Sequence, residues 1–276
     1  MVTVGVLALQ GGFSEHLNSL RRAATHISTL SSPSIPTFDF IEVRTPELLA
    51  KCDALVIPGG ESTTLSLVAA QSGLLEPLRE FVKVKKRPTW GTCAGLIFLS
   101  EQASSAKRGG QELIGGLNVK VHRNHFGRQI ESFVTDLDLP FLSQNGDEAK
   151  VAPFPAVFIR APVVDQVLTD DVKPIDGKLE NTTAEVVAQI SKGHNQAPKG
   201  KVEVLATLPG RHASNMAAAA SSLRVGENIQ ATSPQGAGDI VALKQGNVFG
   251  TSFHPELTDD IRIHVWWLEQ IIESCS

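Results

Sequence analysis

Cysteine is scarce in this chain of 276 residues, and tyrosine is absent. The three cysteines, Cys52, Cys93 and Cys275, are too few and too scattered for a disulfide framework. No C-x-x-C pair or histidine cluster has the spacing of metal ligands, which argues against a metal centre. Long blocks of like charge are also missing: Lys and Arg number 25 against 29 Asp and Glu, for a net charge of −4, which argues against a nucleic-acid partner.

Long apolar runs are missing as well. The opening "MVTVGVLALQGG" has no basic leader, is broken by Gly5 and ends at Gln10, so it is too short for a signal peptide core or a membrane span. We therefore expect a soluble, cytoplasmic protein with no membrane partner. A hydrophobic content of 42% over this length can bury a sizeable core, and we predict a single domain over 1–276.

Apolar, β-rich runs alternate with helical patterns along the first half of the chain. The strand–helix pairs are 2–9 with 14–24, 38–44 with 46–52, 54–60 with 64–82, and 88–93 with 94–103. This alternation predicts an α/β fold with a three-layer, mostly parallel sheet flanked by helices. The later strand-like segments lack long helices between them and predict added antiparallel strands: 118–124, 156–162, 201–208 and 239–253. A single apolar stripe predicts a closing helix over 259–275.

Some stretches fit no regular element. Segments 27–36, 191–201 and 213–238 are rich in Ser, Gly, Pro, Ala and Asn and offer little apolar surface to bury, although 215–224 could form a short helix. We predict surface insertions near 27–38, 102–111 and 184–238.

The sequence "GTCAG" at 91–95 places Cys93 in the G-x-nucleophile-x-G spacing of a nucleophile elbow, with a strand before it and a helix after it. Small neighbours permit the tight turn, and the helix N-terminus would stabilise a thiolate. The N–H of Ala94 would then point at a substrate oxyanion. The alternative is that Cys93 is a small buried hydrophobic residue, as lone cysteines usually are.

A thiol nucleophile needs a base, and "GTSFHPEL" at 250–257 offers His254 with Glu256 two residues on. In an extended strand these side chains share a face, and Pro255 excludes a helix interior, so Glu256 could orient the imidazole. The remaining histidines considered are expected to have surface or structural roles: His16, His122, His125, His194, His212 and His264.

The loop "PGGEST" at 58–63 follows a buried strand, and its paired glycines would let the backbone approach a ligand. It reads equally well as a plain strand-to-helix turn with Ser62 or Thr63 as the helix N-cap, and the two interpretations are compatible.

Together "GVLALQG", "PGGEST", "GTCAGL" and "SFHPEL" resemble the class I glutamine amidotransferases with a Cys-His-Glu triad. Within this class, three further segments resemble the sequences of the glutaminase subunits of pyridoxal 5′-phosphate synthase: "LALQGGFSEH" (7–16), "RNHFGRQIESF" (123–133) and "VFIRAP" (157–162).

The resemblance implies hydrolysis of L-glutamine through a thioester, with Cys93 as nucleophile, His254 as general acid and base, and Glu256 as its orienting partner. The glutamine contacts that it implies are Gly60, Glu61, Ser62, Arg123, Ile159 and Arg160. The oxyanion region that it implies comprises Gly60, Ala94 and Gln10. No metal or organic cofactor is implied.

The implied partner is a barrel-type synthase subunit in a hetero-oligomer, which would receive the ammonia for vitamin B6 biosynthesis. Two other functions stay open: another amidotransferase glutaminase, such as that of histidine biosynthesis, and a non-enzymatic partner-binding subunit. A thiol hydrolase of peptides is a remote third. The segments "FGRQ" and "LQGGFSEH" argue against the first, and the intact set of Cys93, His254 and Glu256 argues against the second.

Overall fold

The computed structural model describes residues 1–30, 36–105, 111–123, 132–143, 152–168, 184–188, 200–208 and 238–275. The helices are α1 (Phe13–Leu30), α2 (Pro46–Leu49), α3 (Ser62–Gln71), α4 (Leu75–Arg79), α5 (Ala94–Leu99) and α6 (Arg262–Cys275), with a π-helical turn (Glu80–Val84) and 3₁₀ turns (Pro140–Leu142 and Pro255–Leu257). The strands are β1 (Val2–Leu7), β2 (Phe38–Val43), β3 (Ala54–Ile57), β4 (Thr89–Thr92), β5 (Ser100–Ser105), β6 (Leu117–His122), β7 (Phe133–Leu137), β8 (Phe154–Phe158), β9 (Val163–Val167), β10 (Ala184–Val187), β11 (Glu203–Leu208), β12 (Asp239–Gln245) and β13 (Val248–Thr251).

The large sheet has a parallel centre, in the order β2-β1-β3-β4-β13. It continues through β12, β9, β6, β5 and β10 by mostly antiparallel pairs, while β7 and β8 form a separate antiparallel pair. The predicted α/β fold with a parallel sheet and added antiparallel strands is confirmed.

Helices cover both faces of this sheet. In β3, Ala54 and Val56 face the core beneath α1 and α6, whereas Leu55 and Ile57 face the core beneath α3, α4 and α5. A central strand buried on both sides must be apolar at every position, which is why its sequence is a continuous apolar run. Among the described residues, no helix is long and apolar enough to cross a membrane.

Several of the predicted helices are shorter than expected: the one over 46–52 ends at Leu49, and the one over 259–275 begins at Arg262. The helix predicted over 94–103 ends at Leu99, and β5 begins at Ser100, whose hydroxyl donates to the Ile97 carbonyl at 2.7 Å. β5 then pairs with β6 and β10, so sheet pairing overrides the local helical pattern. The helix predicted over 64–82 breaks at Gly73, which adopts a φ of +70° between α3 and α4.

The predicted insertions coincide only partly with irregular structure. Helix α1 continues through 27–30 and buries Ile27, so the expectation that this part fits no element is wrong. Residues 102–105 lie in β5, and strands β10 and β11 lie within 184–238. Segments 106–110, 189–199 and 209–237, with the short helix predicted at 215–224, fall outside the described residues. The single domain and its insertion boundaries stay predictions.

Candidate active site

The carboxyl ends of four neighbouring parallel strands meet at one edge of the sheet. Gln10 follows β1, Gly60 follows β3, Cys93 follows β4 and His254 follows β13. Loops at this edge carry the ligand sites of open α/β sheets, because here the helix N-termini and loop amides converge.

Cys93 lies on a strained turn between β4 and α5. Its φ of 48° and ψ of −102° belong to a backbone region that side-chain-bearing residues rarely occupy. The turn requires glycine at 91 and 95: a Cβ on Gly95 would lie 2.0 Å from the Ile57 carbonyl oxygen, and a Cβ on Gly91 would lie 2.5 Å from the carbonyl carbon of Gly95. The Cys93 N–H donates to the Thr251 carbonyl at 2.8 Å, which ties the elbow to β13. This is the geometry of a nucleophile elbow.

The two cysteines with described side chains differ in their surroundings. Cys93 opens toward the site, where its Sγ lies 3.9 Å from the Ile159 carbonyl oxygen. Cys52 packs in the core beside β1, and burial, with the nearby Asp53 and Asp39 carboxylates, raises the pKa of its thiol to about 12. Cys52 is therefore a structural thiol that stays protonated at neutral pH.

His254 and Glu256 form a buried pair at the end of β13. The imidazole Nδ1 lies 2.8 Å from Glu256 Oε1, and the His254 N–H donates to the Val157 carbonyl at 2.8 Å. The contact was expected from an extended strand, and that reason is wrong. Pro255 begins a 3₁₀ turn of which His254 is the N-cap, so the pair lies at the entry to a turn and not in a strand.

The electrostatics of this pair favour an imidazolium beside a carboxylate. Burial lowers the pKa of His254, but hydrogen bonding and charge interactions with Cys93 and Glu256 outweigh it and raise the pKa to about 10. Burial also raises the pKa of Glu256, yet its interactions with His16 and His254 lower it well below the usual range. Glu256 is therefore ionised at every physiological pH.

The 58–61 loop closes over Cys93 and His254. A Cβ on Gly59 would lie 2.3 Å from His254 Cε1 and 3.3 Å from Cys93 Cβ, so only glycine fits there. Gly60 has a φ of +137°. Gln10 holds this loop from β1, since its Nε2 donates to the Glu61 carbonyl at 2.7 Å and its Oε1 accepts from the Glu61 N–H at 3.4 Å.

Glu61 is the N-cap of α3, a role that the sequence suggested for Ser62 or Thr63. Its carboxylate accepts from the backbone N–H groups of Thr63 and Thr64 at 3.0 and 2.6 Å. The Ser62 hydroxyl instead donates to Gln111 Oε1 at 3.3 Å inside the protein. A ligand above the loop would therefore meet the Ser62 backbone and the Glu61 carboxylate, whose side chain is half-exposed.

Arg123 reaches the loop from the end of β6. Its Nη2 lies 3.1 Å from Thr63 Oγ1 and 3.5 Å from Glu61 Oε1. Burial lowers the pKa of Arg123, Glu61 opposes that shift, and the nearby Arg160 adds to it. Arg160 follows Ile159 on a backbone with a φ of +46°. A guanidinium beside a carboxylate offers one partner for each end of an amino-acid zwitterion.

Sequence reasoning missed two histidines behind Glu256. His16 on α1 and His264 on α6 are fully buried, so the surface alternative is wrong for both. His16 Nε2 lies 3.3 Å from Glu256 Oε2, and His16 Nδ1 lies 3.1 Å from His264 Nε2. A signal was available: His16 shares the helical spacing of Leu20, and His264 that of Leu268, so each lies on the apolar stripe of its helix.

Each site residue expected from the sequence lies in the described part of the chain. The elbow, the His254–Glu256 pair and the 58–61 loop surround Cys93, and Ala94 begins α5 next to it. Arg123 lies against the loop, and the Ile159 carbonyl lies over the thiol. The arrangement suits attack by a thiolate on a small, charged amide.

Comparison with known proteins finds relatives along nearly the whole chain. The probable pyridoxal 5′-phosphate synthase subunit PDX2 of Arabidopsis thaliana is 39% identical over 272 residues, which cover 99% of this chain and 87% of the relative. Subunit SNO1 of that synthase in Saccharomyces cerevisiae is 37% identical over 275 residues, or 99% and 95% of the two chains. A crystal structure of a glutamine amidotransferase superposes with a TM-score of 0.61 at 32% identity and covers 97% of this chain and 98% of its own.

The model of the SNO glutamine amidotransferase family matches residues 6–196 and 214–273. These ranges contain the elbow with Cys93, the 58–61 loop, Arg123 and the His254–Glu256 pair. With relatives of more than 30% identity along nearly its whole length, the chain belongs to the SNO glutamine amidotransferase family.

Proposed function

We propose that this protein is the glutaminase subunit of a pyridoxal 5′-phosphate synthase. It hydrolyses L-glutamine to L-glutamate and ammonia, and it delivers the ammonia to a barrel-type synthase subunit in a hetero-oligomer for vitamin B6 biosynthesis. The observation that carries the proposal is Cys93 on a strained elbow beside a buried His254–Glu256 pair, in a family whose relatives bear the synthase name. The scarcity of cysteine supports a cytoplasmic location.

In the proposed reaction, the Cys93 thiolate attacks the side-chain amide carbon of glutamine. The N–H groups of Ala94 and Gly60 stabilise the oxyanion, with Gln10 holding the 58–61 loop in place. His254 protonates the departing ammonia, which leaves a γ-glutamyl thioester on Cys93. His254 then takes a proton from water, the hydroxide attacks the thioester, and glutamate and the thiolate are released.

The substrate contacts follow from the charges around the loop. The Arg123 guanidinium pairs with the α-carboxylate of glutamine, and the exposed face of the Glu61 carboxylate receives the α-ammonium. Backbone groups of Gly60, Ser62 and Ile159 fix the amide end, and Arg160 adds positive charge. No step requires a metal or an organic cofactor.

Replacing Arg123 by alanine should raise KM for glutamine about tenfold to a hundredfold, because a charge-assisted hydrogen bond contributes about 1.5–3 kcal/mol. kcat should change less, since Arg123 does not touch the reacting amide in the proposed pose. Arg123→Lys keeps the positive charge but loses the planar guanidinium that can donate two hydrogen bonds. Its KM should therefore lie between that of the unmodified protein and that of Arg123→Ala. Steady-state glutamate production measures both constants. An unchanged KM in Arg123→Ala would remove this residue from the substrate site.

The isolated chain should hydrolyse glutamine slowly, and saturating synthase should accelerate it. The proposed cause is the Gly59–Gly60 peptide, which can turn its N–H into or out of the oxyanion site at little steric cost. One missing oxyanion donor costs about 10² to 10³ in rate, so a single peptide flip gives a switch of that size. Free ammonia is wasted, so coupling its release to docking is useful to the complex.

Gly60→Ala tests the switch, because its Cβ would lie 2.9 Å from the Gln10 amide. It should reduce activation by the synthase more than it weakens complex formation. Gly73→Ala is the matched control: Gly73 also has a positive φ, but no atom lies within 4 Å of the added Cβ. Equal rates with and without synthase would refute gating and leave only hydrolysis, while no glutamate release under either condition would refute the proposed function.

A further inference from the structure

A second layer of buried imidazoles lies behind the proposed catalytic pair. His16 Nε2 lies 3.3 Å from Glu256 Oε2 and 3.3 Å from Thr92 Oγ1, and His16 Nδ1 lies 3.1 Å from His264 Nε2. The two histidines come from α1 and α6, which lie far apart in the sequence. None of the steps in the proposed reaction uses them.

The carboxylate of Glu256 needs a partner on this side. Oε1 faces His254, but Oε2 is fully buried and has no well-aligned hydrogen bond among the described residues. His16 lies at ion-pair distance from that oxygen. The backbone at the start of α1 also abuts the carboxylate, since a Cβ on Gly12 would lie 2.9 Å from Oε1. A buried carboxylate is stable only where hydrogen-bond donors or positive charge face it, and a helix N-terminus adds to that stabilisation.

The direction of the hydrogen bonds follows from the lone pairs. If His16 Nε2 were unprotonated, its lone pair would be repelled by the lone pairs of the Glu256 carboxylate. We therefore assign a proton to Nε2. Between the two imidazoles, donation by His264 Nε2 leaves its buried Nδ1 as a bare acceptor, and Nδ1 has no hydrogen-bond partner among the described side chains and backbone. If His16 Nδ1 donated instead, the proton of His264 would lie on its Nδ1, which has no acceptor. A buried N–H without an acceptor costs more free energy than a buried acceptor without a donor. The donors therefore run from His264 to His16, whose Nε2–H lies within 3.3 Å of both Thr92 Oγ1 and Glu256 Oε2.

His16 is also held rigidly. Its ring packs edge-on against Trp90 with centroids 5.4 Å apart, and the His264 ring packs against the same indole at 5.0 Å. Thr92, whose hydroxyl His16 contacts, directly precedes Cys93. One imidazole thus touches both the carboxylate that holds the base and the strand that holds the nucleophile.

We propose that His16, fixed by His264, is a positioning residue of the glutaminase: its Nε2–H holds the Glu256 carboxylate in the orientation that aims His254 at Cys93. The inference rests on the proposed function and concerns the same site. His16 does not touch the substrate and takes no proton in the reaction.

Several titratable groups surround Glu256 and decide the pH behaviour. His254 faces it from its own turn, with Cys93 beyond, and His16 faces it from α1. His264 lies behind His16, and burial lowers the pKa of His264 well below its ordinary value. Loss of His16 removes an interaction that lowers the pKa of Glu256, so Glu256 becomes protonated at a higher pH.

The experiment uses the full chain with saturating barrel-type synthase and compares three variants. His16→Leu removes the donor; His16→Gln keeps an amide N–H near the Nε2 position; His16→Asn places its amide nearer Nδ1. We expect His16→Leu and His16→Asn to lose about tenfold to a hundredfold in kcat with little change in KM, as expected for a misaimed base. The acid limb of their pH–rate profiles should move to higher pH, and His16→Gln should stay close to the unmodified protein in both respects.

His26→Leu is the matched control, because His26 is an exposed histidine on the same helix. A second readout, the pH dependence of Cys93 alkylation, does not require turnover and should shift in His16→Leu and His16→Asn only. If His16→Leu does not fold, the comparison of His16→Gln with His16→Asn decides alone. Wild-type kcat and an unmoved acid limb in folded His16→Leu or His16→Asn would overturn the proposal. Absence of glutamate release from the unmodified protein would instead count against the proposed function.

Discussion

Cys93→Ser is expected to reduce glutamate release by a factor on the order of 10⁴ or more, because the reaction then lacks the thiolate that attacks the amide. The protein should stay folded. Serine is close in size to cysteine, and Gly91 and Gly95, whose missing side chains permit the tight turn at Cys93, remain. Cys52→Ser is the matched control, since Cys52 is the other buried cysteine whose side chain is described.

The measurement is steady-state glutamate production with synthase present, together with thermal unfolding of each variant. A glutamine-analogue electrophile should label Cys93 in the unmodified protein and leave Cys93→Ser unlabelled. Label found by mass spectrometry on Cys52 or Cys275 instead would contradict the assignment of the nucleophile.

The second large effect is expected at His254. His254→Ala should cost nearly as much activity as loss of Cys93, because in the proposed reaction the same imidazole protonates the departing ammonia and activates water. Glu256→Gln should leave about 10- to 100-fold more activity than His254→Ala, since Glu256 orients the base and does not react. The double variant of Cys93 and His254 should be no slower than either single variant. A double loss equal to the product of the single losses would show that the two do not act as a unit.

The raised pKa of His254 also predicts that the contribution of this residue to stability depends on pH. Its value in the folded protein, about 10, lies above the ordinary 6.5, so its contribution to stability is full below pH 6.5 and is lost as the pH rises through 10. The difference in free energy of unfolding between the unmodified protein and His254→Ala should therefore shrink across that interval. Glu256→Gln should lower the pKa of His254 and move the loss to lower pH. A difference independent of pH would mean that no ion pair forms.

Local patterns predicted much of the fold because the physics is local or nearly so. Continuous apolar runs indicate strands buried on both faces, as in β3, and a single apolar stripe indicates a helix lying on a sheet, as in α6. Where tertiary pairing competes with local preference, the prediction failed. β5 continues directly from α5 because its edges pair with β6 and β10, and no short-range signal in 94–103 reveals those partners.

The candidate site also contains features that the local sequence predicts and features that it does not. Cys93 was recognisable as a candidate nucleophile because an elbow needs small residues within two positions of the nucleophile. Five consecutive residues, 91–95, meet that requirement. The His254–Glu256 contact was expected but for the wrong reason, as a 3₁₀ turn and not a strand joins them. The N-cap of α3 was assigned one or two residues late, because Glu61 caps with a longer side chain than serine or threonine.

By itself, the sequence determined the class of fold and the family, and it singled out the candidate nucleophile with its candidate base, since each is encoded in short segments whose residue types and spacing are restricted by chemistry. Only the tertiary structure decided what surrounds them. His16 meets Glu256 on one side and His264 on the other because α1 and α6 pack side by side on one face of the sheet, which joins two histidines separated by 248 residues in the sequence. A buried carboxylate must find donors wherever the fold places them, and linear spacing carries no record of which helix will supply them.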